Sequence, residues 1–132
     1  MTGETNISAL IKELTPTLNE GEYVFCTLKD ADKVTRTDTI CEFKEYEGLS
    51  IIIERQKADQ LKLQYDFVLS WITLMMHSSL EAVGLTAIVA TELAKQNISC
   101  NIIARYYHDH IFVNKNDANK ALQVLIDLSK NY

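Results

Sequence analysis

Apolar residues along this chain recur with two different periods, and the places where the period changes mark its elements. Ile7, Leu10, Ile11 and Leu14 fall at helical spacing, with Asn6 or Ser8 able to cap the first turn and Pro16 ending the helix. Gly21 then opens a strand, Glu22–Leu28 (EYVFCTL), and the polar run Lys29–Asp38 reads as a loop. Thr39–Lys44 and Leu49–Glu54 are two short strands joined through Glu45-Tyr46-Glu47-Gly48, where Gly48 supplies the positive φ of a tight hairpin. Arg55–Leu63 follows as a short helix with Ala58 and Leu61 inward.

The second half begins with the most apolar stretch of the chain. Phe67–Met76 reads as a long strand, broken at His77-Ser78-Ser79, and a buried helix follows. Leu80, Val83, Ala87, Thr91 and Ala94 would line one face of that helix, with Leu85, Ile88 and Val89 widening it, so it should be covered on most sides. Gln96-Asn97 ends it. Ser99–Tyr107 is a strand, His108-Asp109 a tight turn, and His110–Val113 an antiparallel return. Asn116 or Asp117 caps a last helix whose inner face is Ala118, Ala121, Leu122, Leu125 and Leu128.

From Phe67 the order is strand, helix, strand, strand, helix, which builds a split βαβ sandwich: an α+β unit with an antiparallel sheet and helices on one face. Leu49–Leu63 and Ile111–Leu125 look equivalent, each the second strand of a hairpin running into an amphipathic helix, which suggests an internal repeat. The chain therefore divides into residues 1–66, an incomplete unit with an N-terminal helix, and residues 67–132. The second unit lacks a closing strand. It must come from a shared strand, from the joining of two half-sheets, or from a partner chain at an open edge.

Composition narrows the function. A net charge of −5 with scattered Lys and Arg argues against nucleic acid as a partner. No apolar run is long enough to span a membrane, and the polar start MTGETNISALIKEL lacks the features of a secretion signal, so a cytoplasmic protein is expected. Cys26, Cys41 and Cys100 are widely spaced within strand-like runs and read as buried reduced thiols.

The junction after the long strand carries the candidate chemistry. Ser78-Ser79-Leu80-Glu81 matches a capping box, in which a serine oxygen accepts a backbone N–H and the glutamate returns the bond. The second hydroxyl and the remaining N–H groups at the helix start form a receptor for a carboxylate, with Glu81 able to hold an ammonium group. Gly84, one turn into the helix, signals close packing against the sheet or close approach by a ligand. His108 and His110, two apart, would face one side in a strand and could clamp a metal with His77, although two histidines at a polar turn are more often simply hydrogen-bonded. Tyr106, Tyr107 and Phe112 are better explained by core and interface packing than by stacking on RNA. No histidine has an evident nucleophile and orienting partner, and the apolar setting of Cys100 would raise its thiol pKa.

The run WITLMMHSSLEAVGLTAIVATELAKQNISCNIIARYYHDHIFVNKNDANKAL resembles the second unit of small tandem ACT-domain proteins, and LNEGEYVFCT with FKEYEGLSIIIERQKADQL resembles the first. HSSLEAVGLTA and YYHDHIFV are the most specific parts. The resemblance implies a ferredoxin-like sandwich of two ACT-like units, distantly like aspartokinase regulatory domains. It further implies a regulatory protein that binds a small molecule, plausibly an amino acid, without catalysis, cofactor or metal of its own, and that assembles as a homodimer. Carried onto this chain, the family's ligand positions are His77, Ser78, Ser79, Leu80, Glu81, Ala82, Val83 and Gly84, joined by Asn101, Ile102 and Ile103. ACT ligand loops often carry a glycine before the helix, and Ser78-Ser79 stands in its place. The alternatives are an oligomerisation module without ligand, or a weak metal-binding protein.

Overall fold

The computed structural model describes residues 6–75 and 84–132. Its residues cluster into two compact units: Glu20–Leu69, and a second unit made of the chain up to Asn19 together with Ser70–Tyr132. The sequence division at residue 66 thus differs from the spatial grouping, in which the break falls after Leu69 and the N-terminal segment packs with the C-terminal residues.

That discontinuous unit starts with helix α1 (Ile7–Glu13), capped by Asn6, whose side chain accepts the Ala9 N–H at 3.2 Å. Leu10 and Ile11 are fully buried and Leu14 is nearly so. Pro16 does end this helix, but it also lies in a four-residue strand the periodicity had not marked, β1 (Thr15–Leu18). Strand β1 pairs antiparallel with β5 (Leu69–Met75), setting Thr15 opposite Met75 and Leu18 opposite Ile72. No other strand pairs with β1 among the described residues, and a proline, having no N–H to give to a ladder, is tolerated at such an edge.

Helix α3 (Leu85–Lys95) follows β5 in the chain, then β6 (Cys100–Ala104), β7 (Asp109–Asn114) and helix α4 (Ala118–Asn131). The strand order is β1-β5-β7-β6. The closing strand missing from the second half of the sequence is therefore the N-terminal β1, and the unit is complete within one chain. Ser129 Oγ donates to the Lys12 carbonyl at 2.9 Å, fixing the end of α4 beside the end of α1 just before β1 begins.

Ile72, Leu74, Ile111 and Val113 supply the sheet side of this unit's core, and Leu10, Ile11, Leu14, Leu85, Val89, Leu93, Ala121, Leu125 and Leu128 the helix side. The inner face of α4 is as expected, with Leu122 half-buried; Asp117 holds the N-cap position without a side-chain bond, and Asn114 accepts the Asn116 N–H instead. The face of α3 is different. Leu85, Val89 and Leu93 are buried, whereas Ala87, Thr91 and Ala94 are exposed. The apolar side chains of this helix were numerous enough to support two faces, and the larger ones took the core because they remove more area from water.

The continuous unit contains β2 (Tyr23–Leu28), β3 (Thr39–Glu45), β4 (Gly48–Glu54) and helix α2 (Arg55–Gln60). Strand β4 lies between β3 and β2, and Tyr23 pairs with Leu69, the first residue of β5. Two 3-10 turns, Ala31–Lys33 and Arg36–Asp38, occupy the polar stretch read as a loop. Val24, Cys26, Leu28, Val34, Ile51, Ile53 and Ala58 form a separate core. Gly48 has φ +156°, and a Cβ there would stand 2.7 Å from the Leu28 carbonyl oxygen, so the hairpin requires glycine for room as well as conformation. In both units a β-hairpin leads into a helix, β4 directly into α2 and β7 through a 3-10 turn, Lys115–Asp117, into α4, as the internal repeat suggested.

Candidate functional site

Most of the predicted ligand loop, His77, Ser78, Ser79, Leu80, Glu81, Ala82 and Val83, lies outside the described residues, as does the capping box it contains. Its last residue, Gly84, is described and is not in the interior of a helix. It is the N-cap of α3 with φ +88°, a left-handed conformation that glycine adopts without a Cβ penalty. Among the described residues no atom comes within 4 Å of a Cβ built there, so backbone conformation, and not close packing, accounts for this glycine. A glycine does therefore stand directly before the helix, as Gly84, since α3 begins at Leu85.

The first turn of α3 has no acidic residue and receives no side-chain cap bond from a described residue. The first intrahelical bond runs from the Ile88 N–H to the Gly84 carbonyl at 3.0 Å. The amides of Leu85, Thr86 and Ala87 therefore precede the helical ladder and point along the axis, where the helix dipole favours negative charge.

Asn101, Ile102 and Ile103 all lie on β6, but alternation separates them. Asn101 is opposite Phe112 and Ile103 opposite His110, while Ile102 is opposite Ile111 and packs against the core. Asn101 and Ile103 consequently share the sheet face turned away from the helices, and Ile102 supports the strand from behind.

That face carries a polar cluster the sequence reading had not assembled. The Trp71 indole N–H donates to His110 Nδ1 at 2.9 Å, and Thr73 Oγ1 stands 3.1 Å from the same nitrogen. Asn19, just after β1, donates its amide to Thr73 Oγ1 at 3.0 Å and to the Trp71 carbonyl at 3.2 Å. The Trp71 ring stacks on Phe112, with centroids 5.9 Å apart, and tilts against His110 at 5.5 Å. An indole N–H can only donate, so Nδ1 of His110 must accept and the ring is held as the neutral tautomer with its proton on Nε2. Burial, with Arg105 and His108 adding like charge, pushes the His110 pKa below its ordinary value, which keeps that tautomer. Alternation in LSWITLM is the one signal that places Trp71 and Thr73 together; nothing local marks Asn19.

His108 and His110 do not form the pair expected of a strand, because β7 begins at Asp109 and His108 precedes it. Among the described residues, His108 Nδ1 is buried with no hydrogen-bond partner and no three His, Cys, Asp or Glu side chains gather as metal ligands. The turn expected at His108-Asp109 moves to Tyr106-Tyr107, and these rings are 65% and 77% exposed; Phe112 is buried, on the sheet face that carries Trp71. Burial raises the carboxyl of Asp109 and the thiols of Cys26 and Cys100. Cys26 is buried, and Cys41 and Cys100 are partly so.

Two family models described as ACT domain match in tandem, over residues 2–70 and 67–127. The chain belongs to the ACT-domain family. Among solved structures it is similar to a Vibrio cholerae protein of unknown function described as a possible transport protein, at 45% identity over 97% of this chain and 99% of that one, with a TM-score of 0.86. A putative C-terminal regulatory domain of aspartate kinase from Porphyromonas gingivalis shares the fold at 14% identity, over 89% of this chain and 98% of that one, with a TM-score of 0.60. The regulatory subunit of aspartate kinase from Thermus thermophilus does so at 10% identity, over 87% and 95%, with a TM-score of 0.59. No curated protein matches the chain significantly. An ACT domain is a regulatory, small-molecule-binding module with a ferredoxin-like α+β fold, and the strand order β1-β5-β7-β6 is that fold with its last strand taken from the N-terminus.

Proposed function

We propose that this ACT protein is an amino-acid-binding regulatory module without catalysis of its own, working in the cytoplasm as a homodimer. The observation that carries the reading is Gly84, left-handed at the start of α3 and next in sequence to the predicted ligand residues His77–Val83, in a chain matched by ACT models in tandem. The ligand's carboxylate would lie on the first-turn amides and the Ser78 and Ser79 hydroxyls, and its ammonium group on Glu81. Asn101 and Ile103 would contribute from β6, the strand that pairs only with β7 among the described residues and so has an edge open to a second copy.

A thermal-shift screen of the common amino acids tests this. A ligand that binds only the folded state at about 100 times its Kd adds about 2.7 kcal/mol, so at least one amino acid should raise the midpoint, and Ser79→Trp should abolish the response. No shift with any of them overturns the reading.

A further inference from the structure

The continuous unit contains an open cavity of about 560 Å³ at one end of its sheet, walled by two connections. One carries the chain from β2 into the first 3-10 turn and presents Thr27, Lys29, Asp30 and Lys33; the other leaves α2 and presents Lys62 and Gln64.

Three lysines at one cavity stand out in a chain of net charge −5. Of the other cations of this unit, Arg36 pairs with Glu42, Arg55 with Glu22 and Asp59, and Lys57 with Asp38, while Lys44 on β3 stands away from the cavity lining. Lys29, Lys33 and Lys62 make no ion pair with any described residue. Asp30 is the single carboxylate of the lining, and its Oδ1 already accepts the Asp32 N–H at 2.9 Å. The cavity is therefore a pocket of surplus positive charge with a hydroxyl and an amide as further donors.

Lys62 stands at the rim in a backbone conformation uncommon for lysine. Its φ of +57° is left-handed, a conformation that disfavours a lysine and suits glycine or asparagine. The corresponding position after α3 is also left-handed, at φ +59°, and there the chain does use asparagine, Asn97. The Lys62 backbone is held by its N–H on the Asp59 carbonyl at 3.1 Å and by the next amide, Leu63, on Ala58 at 2.9 Å. These two bonds are the usual left-handed termination of a helix, and they fix the Lys62 side chain at the rim of the cavity.

We propose that this cavity binds a small phosphate-bearing anion of at least two negative charges. Lysines act as point charges that suit a compact phosphate group, and the charge excess of the lining disfavours a monoanion as sole occupant. The cavity is lined by residues of the continuous unit alone, and the proposal stands or falls independently of the amino-acid reading.

The test is calorimetric titration of the full chain with inorganic pyrophosphate, inorganic phosphate and citrate at low salt, with amide chemical shifts as a second readout. Pyrophosphate is expected to bind with a Kd of about 1 mM or tighter, to weaken as salt rises, and to shift the amides of Thr27–Lys33 and Lys62–Gln64. Lys33→Gln should weaken it about tenfold, the size expected for one charge-assisted contact. Lys62→Gly is the decisive variant: relief of the left-handed lysine should raise the thermal midpoint while pyrophosphate affinity falls about tenfold. Absence of pyrophosphate binding, shifts confined to other residues, an unchanged affinity in Lys62→Gly, or citrate bound as tightly as pyrophosphate would each overturn the proposal.

Discussion

Trp71 on β5 donates its indole N–H to Nδ1 of His110 on β7, 2.9 Å away, so that a half-buried tryptophan and a neutral histidine lock two neighbouring strands together. Asn19 and Thr73 extend the lock to the segment that follows β1.

The first prediction concerns pH. The folded-state pKa of His110 is lowered from 6.5, so below pH 6.5 the unfolded chain binds a proton that the folded chain resists. The bond's contribution is complete above that pH and is lost as pH falls through and below it. His110→Gln should cost about 1 kcal/mol near neutrality, and the difference from the parent protein, measured by urea unfolding, should shrink towards pH 5. A difference that stays constant would contradict the neutral tautomer.

The second concerns the closing strand. Deleting the chain through Leu18 removes α1 and β1, uncovering Ile72 and Leu74 and unpairing one edge of β5. Loss of cooperative unfolding in the unit containing Trp71, followed by tryptophan fluorescence, is the expected result. Leu10→Ala, at a fully buried position, should cost about 2–5 kcal/mol in the same assay.

The third concerns Gly84. With no described atom near a Cβ there and φ +88°, the cost of Gly84→Ala is expected from the backbone, about 1–2 kcal/mol. Gly84→Asn should cost less, because asparagine tolerates the left-handed region. Equal losses for both, read as denaturation midpoints, would point to contacts instead of conformation.

Most of the fold was legible because its strands alternate and its capped helices keep a 3.6-residue period. TICEFK against LSIIIE fixed one hairpin, and ALQVLIDL fixed the last helix. Strand β1 was not legible: TPTL is four residues long, contains a proline, and is defined by its partner Leu69–Met75 and not by any period of its own. The face of α3 was ambiguous for the opposite reason, since small and large apolar residues surround it and only the neighbouring elements select Leu85, Val89 and Leu93. At the candidate site, glycine was recognised but its cause was misassigned, because one residue's φ depends on where the helix starts. The Trp71, Thr73, Asn19 and His110 cluster joins residues far apart in sequence, and register alone brings them together.

The most direct test of the central claim, that the start of α3 is a ligand site, is a titration of isotope-labelled protein with each common amino acid, followed at the amides of Gly84, Leu85, Thr86, Asn101 and Ile103. The account predicts that at least one amino acid shifts these five together along one saturating curve, while the amides of α2 stay still. Saturation with every amino acid at about 10 mM, ten times a 1 mM Kd, with none of the five moving, would contradict it.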